Sequence, residues 1–210
     1  MKAKNIIEFA VHGELNQLYL GKIAANVPER QENINAIISY INLGVIELYK
    51  RFAIATKKVT INDLTNDATT VIEDDFMYVV SCTGNDDDKT DIPINDVLAD
   101  LSIFQSAPFE FQVQATEDAP ETITAVHVVY SVSPTLITKE EDNVLINNQY
   151  LEALVNYIAY KGHASISGNT DEENNAYYQR FEASCKNITR LGLATPTIQS
   201  NHKLNNRGFK

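Results

Sequence analysis

The sequence predicts an α+β fold. A helical bundle, built from a long N-terminal helix and a C-terminal helical hairpin, carries an inserted small β subdomain and ends in an extended C-terminal tail. Three observations lead there. Ile34, Ile37, Ile38, Ile41, Val45, Leu48, Tyr49 and Phe52 recur at three- and four-residue steps, one broad apolar helical stripe. The period then falls to two: Phe109, Phe111, Val113 and Ala115 alternate with polar partners, as do Val126, Val128, Tyr130 and Val132. Helical spacing returns from Tyr150 to Leu191. These changes divide the chain into N-terminal helices over 1–54, a β subdomain over 55–140, a helical hairpin over 141–192 and a flexible tail over 193–210.

Taken in order, Ile6 to Leu20 reads as a first short helix weakened by Gly13. The long helix is expected from Pro28, a favoured first helical residue, with Glu29 and Glu32 at the positive end of its dipole. Run to Phe52, it would measure roughly 37 Å at 1.5 Å per residue. Gly44 in its interior costs about 1 kcal/mol against Ala, and a close backbone contact would explain it. Strands are expected at Lys58–Ile61, Phe76–Cys82, Phe109–Ala115 and Val126–Val132, with Pro134 stopping the last. Turn-rich stretches lie at Gly84–Asp88 and Glu117–Pro120. Asn147 or Asn148 suits a cap for the next helix, whose apolar stripe is Leu151, Leu154, Val155, Ile158 and Ala159. Gly168 ends it, and Thr170 to Glu173 fits a capping box for the last helix. Tyr177, Phe181, Cys185, Ile188 and Leu191 mark that helix, and Gly192 sits at a C-terminal cap position.

Composition narrows the function. With 44% hydrophobic and 21% charged residues in 210, the chain can bury a sizeable core. No apolar run approaches the roughly 18 residues that cross a bilayer, and Glu8, His12 and Glu14 interrupt any signal-peptide core, so a cytosolic protein or assembly part is expected, with no membrane. The net charge is −11 and uneven: nine acidic residues against Lys89 alone lie between Glu73 and Asp100, and residues 192–210 hold Lys203, Arg207 and Lys210 with no acid. Nucleic-acid affinity needs clustered cations and is not expected. Cys82 and Cys185, far apart and without metal-spaced neighbours, read as buried free thiols. His12, His127, His163 and His202 form no metal or catalytic pattern, and no nucleophile elbow, phosphate loop or dinucleotide fingerprint occurs. Asp86, Asp87 and Asp88 lack the alternating ligands of an EF-hand and read as a solvated acidic loop. Catalytic residues, metal sites and cofactors are therefore not expected, and a non-enzymatic assembly part is.

Four segments carry a resemblance: Asn42-Leu-Gly-Val-Ile-Glu-Leu-Tyr-Lys-Arg-Phe52, the strand entry Glu73-Asp-Asp-Phe-Met-Tyr-Val79, the strand Val128 to Pro134, and the hairpin Tyr150 to Phe181. This order resembles the head-to-tail adaptor (connector, or neck ring) proteins of tailed bacteriophages, of short-tailed or crAss-like type, over residues 30–191. The resemblance implies a virion protein in the neck, assembled in the host cytoplasm. It implies a homo-oligomeric ring of about twelve copies under the portal, tail proteins below and genomic DNA in the channel. In that setting Tyr157, Tyr160, His163 and Tyr178 are candidate interface residues, because tyrosine is enriched at interfaces. Asp86 to Asp88 is a candidate channel-facing loop that would repel DNA. Lys203, Arg207 and Lys210 form a candidate docking tail. A tail-completion, tail-tube or minor capsid protein is the alternative within assembly, and an enzyme of unrecognised type lies outside it.

Overall fold

The computed structural model of the chain describes residues 1–16, 27–167 and 176–193. They fall into two compact units, one formed by Met1–Ile54 with Pro134–Thr195 and the other built on Ala55–Ser133.

The first unit holds helices α1 (Ala3–His12), α2 (Val27–Arg51), α3 (Leu151–Ser167) and α4 (Ala176–Arg190). The first turn of α1 is anchored by backbone: Ala3 and Lys4 N–H groups donate to the Asp142 and Glu140 carbonyls at 2.9 and 2.8 Å. The whole apolar stripe of α2 from Ile34 to Phe52 is buried. Its interior glycine marks the closest approach to α3, where a Cβ on Gly44 would stand 2.6 Å from Leu154 Cδ1 and 3.0 Å from Tyr157 Cδ1. Helix α3 buries Ala153, Leu154, Tyr157, Ile158, Ala159, Tyr160 and Ala164, more than one face. Ahead of it runs a single 3-10 turn, Asn148–Tyr150, whose N-cap Asn147 makes no side-chain capping bond. Helix α4 ends in a Schellman arrangement: Gly192, at φ 63°, donates to the Thr189 carbonyl and Leu193 to that of Ile188. The expected capping box at Thr170–Glu173 lies outside the described residues.

A strap without regular structure, residues 134–147, runs along this unit. Asn42 of α2 stitches it down: its Nδ2 donates to the Ile137 carbonyl at 2.9 Å, and its Oδ1 accepts from Ile137 N–H at 3.0 Å. One turn pair later Tyr49, fully buried, donates its hydroxyl to the Leu145 carbonyl at 2.8 Å.

The second unit contains β1 (Thr56–Ile61), β2 (Thr69–Val71), β3 (Phe76–Gly84), β4 (Leu101–Ala107), β5 (Glu110–Ala115) and β6 (Val126–Val132). They form two antiparallel sheets, ordered β1-β6-β3 and β2-β5-β4. Both sheets feed one core of Ile61, Ile72, Cys82, Ile92, Leu101, Ile103, Phe111, Val113, Ile123, Val126 and Val128. Phe76 joins them, its ring edge-on to Phe111 at 5.6 Å and tilted against Tyr130 at 5.6 Å.

The expected fold class is corrected here. The chain is not a long-helix bundle with a small β insert; its described residues form four helices and two three-stranded antiparallel sheets. The four expected strands correspond to β1, β3, β5 and β6; β2 and β4, which complete the second sheet around β5, lack a sustained alternation. β2 has three residues, too few to show a period, and β4 passes from buried Leu101, Ser102 and Ile103 to exposed Gln105, Ser106 and Ala107, so burial runs in blocks along it rather than alternating. The extended C-terminal tail of that reading lies outside the described residues.

Candidate functional site

In the helical unit the four candidate interface residues gather where α3 meets α4. Tyr157 packs edge-on to Phe181 at 5.1 Å and to Tyr160 at 5.8 Å, and Tyr160 meets Tyr178 at 5.2 Å. His163 stacks on Tyr177 at 4.4 Å and its Nε2 lies 3.0 Å from the Glu14 carbonyl. A carbonyl only accepts, so Nε2 carries a proton. Tyr157 and Tyr160 are 6% and 2% exposed, which makes them core of their own unit rather than surface, while His163 and Tyr178 are half-buried. Arg51, at the end of α2, completes the cluster. Its guanidinium donates to Glu182 at 2.6 Å and lies 4.7 Å over the Phe181 ring. That hydrogen bond holds the Glu182 carboxyl below its usual range and raises Arg51.

Phe9 is the surface aromatic here that sequence reasoning missed. It is 54% exposed on α1 and borders a groove of about 680 Å³ that Leu151, Val155, Arg180 and Ala183 also line. The pattern of α1 carried the signal: Ile6, Ile7 and Ala10 are buried, and Phe9 falls outside that stripe.

In the β unit the acidic loop after β3 is more tightly built than a solvated run. The Thr90 hydroxyl and N–H both donate to the Asp86 carboxylate, which holds that carboxyl below the usual range. Asn85 accepts from the Thr124 and Ala125 N–H groups and donates to the Thr124 hydroxyl, tying the loop to the chain before β6. Gly84 leaves room for this packing: a Cβ there would meet Asp86 Oδ1 at 2.8 Å and Ile123 at 3.1 Å, so both side chains would have to shift. Asp86 is thus half-buried and structural, and only Asp87 and Asp88 stand exposed. Lys203, Arg207 and Lys210 lie outside the described residues.

Charge divides sharply between the units. Residues 55–133 carry fifteen of the 28 acidic residues but only three of the 17 Lys and Arg, a net −12 that accounts for the whole chain's −11. Lys57, one of the three, is already committed to Glu73 and Asp75. The remainder of the chain is close to neutral, with thirteen acidic against fourteen basic residues. Both thiols are buried, and burial pushes Cys82 up to about 12 and Cys185 up to about 11, so neither serves as a nucleophile near neutral pH. Among the described residues no three His, Cys, Asp or Glu converge as metal ligands, and no helix is long and apolar enough to cross a membrane. The described residues offer packing surfaces and a strong negative field.

No curated protein matches the chain. A family model does: that of the SU10 adaptor protein, over residues 13–200. That span takes in both units and nearly the whole sequence, so this chain belongs to the SU10 adaptor protein family, a family of structural phage adaptors.

Proposed function

We propose that the chain is a head-to-tail adaptor of the phage neck, assembled as a ring of about twelve copies between portal and tail, with genomic DNA passing through its centre. The family membership carries this reading. A closed ring needs two different complementary faces on each copy. The helical unit supplies material for one in the groove beside Phe9, and separately in the half-buried His163 and Tyr178, which pack on the α3–α4 aromatic cluster that holds Tyr157 and Tyr160. The β unit supplies the field. A polyanionic lining repels DNA and lets it slide, whereas a basic one would hold it. Asp87 and Asp88, at the exposed end of an anchored loop, are the residues proposed to face the channel. Lys203, Arg207 and Lys210 are proposed to dock on an acidic surface of a neighbouring ring.

A reconstruction of the assembled particle tests this directly. The ring reading requires density for this chain between head and tail, with the Asp86–Asp88 loop turned inward; the loop on the outer surface would overturn the channel assignment. Removing residues 201–210 is expected to leave a folded protein whose particles fail to join head to tail, and normal particles would overturn the docking role of the tail.

A further inference from the structure

The segment between β3 and β4 ends in a feature that the fold alone does not explain. Val97 and Leu98, adjacent aliphatic residues, are 67% and 90% exposed, and Ile94 just before them is 36% exposed. Isolated exposed aliphatics are ordinary, but this pair is held out by a built turn. Asn95 sits at φ 55°, and its Oδ1 accepts from Gln105 N–H at 3.1 Å while its own N–H donates to the Ile103 carbonyl at 3.0 Å. Leu98 N–H donates to Asp96 Oδ1 at 3.0 Å, and Gln114 Nε2 donates to the Val97 carbonyl at 3.2 Å. The two side chains are therefore presented from a pre-organised turn, which lowers the ordering cost of burying them against a partner.

The surroundings specify that partner's chemistry. Asp96 is adjacent, and Asp100 is joined to Thr116 by a backbone bond of 2.8 Å and a side-chain bond of 3.2 Å, which brings the Glu117-Asp118 turn alongside. A cleft of about 410 Å³ opens on the same edge, lined by Asn66, Asp67, Gln112, Gln114 and Thr116. Within it the Asp67 carboxylate is oriented by Gln112 Nε2 at 2.9 Å and Asn66 Nδ2 at 3.2 Å. From residue 90 to 138 there is no Lys or Arg at all. A nucleic acid would be repelled by such a surface. We infer that the Val97–Leu98 turn is a docking knob for another protein of the particle, one that offers an apolar socket rimmed by Lys or Arg, with one cation entering the cleft at Asp67. Complementary charge of this kind steers encounter and fixes register, while the apolar pair supplies the contact.

This inference rests on the adaptor reading, and a test in the assembled particle separates the two. A photo-crosslinking amino acid replacing Leu98 in the full chain, incorporated during infection, is expected to trap another virion protein at a segment containing Lys or Arg. A parallel Val97→Ser/Leu98→Ser variant, with unchanged thermal unfolding, is expected to lower infectious yield at least tenfold. Asp67→Lys should lower it too, by reversing the charge that receives the cation. Particles that contain the chain but yield no crosslink, a crosslink only to another copy of this chain, or full infectivity with both variants would overturn the knob and leave the adaptor reading standing. Absence of the chain from particles would overturn both.

Discussion

Single side chains do much of the fastening in this protein, and the most consequential is an amide in a helix. Asn42 meets both backbone groups of Ile137, so it performs the pairing that a neighbouring strand would otherwise supply. Asn42→Ala leaves a partly buried N–H and C=O without their partner, and an unmade bond of this kind costs about 1–3 kcal/mol each. The expected result is a lower unfolding midpoint in urea with an unchanged slope. Glu182 acts at the same scale but through charge. Its folded carboxyl lies below its usual range because Arg51 donates to it. A depressed carboxyl contributes stability that is present above the unfolded value near pH 4.5 and is lost as pH falls through the folded one. Unfolding free energies measured from pH 6 to pH 2.5 should therefore fall more steeply for the native chain than for Glu182→Gln.

Among the elements, the crossing of α2 and α3 is set by Gly44. A Cβ there would stand 2.6 Å from Leu154 and 3.0 Å from the Tyr157 ring, both fully or nearly buried. Two effects compete for Gly44→Ala: helix propensity favours it by about 1 kcal/mol, and overpacking opposes it by about 1–3 kcal/mol. The sum is small. Gly44→Val puts two methyl groups more than Ala into the same gap, so overpacking prevails and the variant should unfold several degrees below the Ala variant by circular dichroism. The aromatic hairpin above this crossing was legible in the spacing of Tyr157, Tyr160 and Phe181. Its inward orientation was not, because a helix that buries more than one face gives no stripe from which to tell core from surface.

At the scale of the whole molecule, two units with separate cores and very different charge should respond differently to salt. Fifteen acidic residues against three basic ones in 55–133 repel one another, and added salt screens that repulsion, the Debye length falling from about 30 Å at 0.01 M to about 3 Å at 1 M. Calorimetry is expected to resolve two transitions. One, assigned to the β unit by exposure of Cys82 to a thiol reagent, should rise with sodium chloride by more than the other, assigned by Cys185. Equal shifts would refute the charge division as a stability effect.

The sequence by itself determined the local periods, and with them α2, α3, α4, β1, β3, β5 and β6 to within a few residues. It also determined where the charge lies and that the two thiols would be buried, since burial and repulsion follow from composition and spacing along the chain. The tertiary structure decided what spacing does not encode. β2 exists because β5, in a distant part of the chain, completes its hydrogen bonds, and β4 because it closes a hairpin with β5, so their own residues need not alternate. The second sheet turns a small insert into half of the architecture. Asp86 became a loop cap, Tyr157 and Tyr160 became core, and Phe9, Val97 and Leu98 became surface, because exposure is fixed by what packs opposite a side chain rather than by its neighbours in sequence.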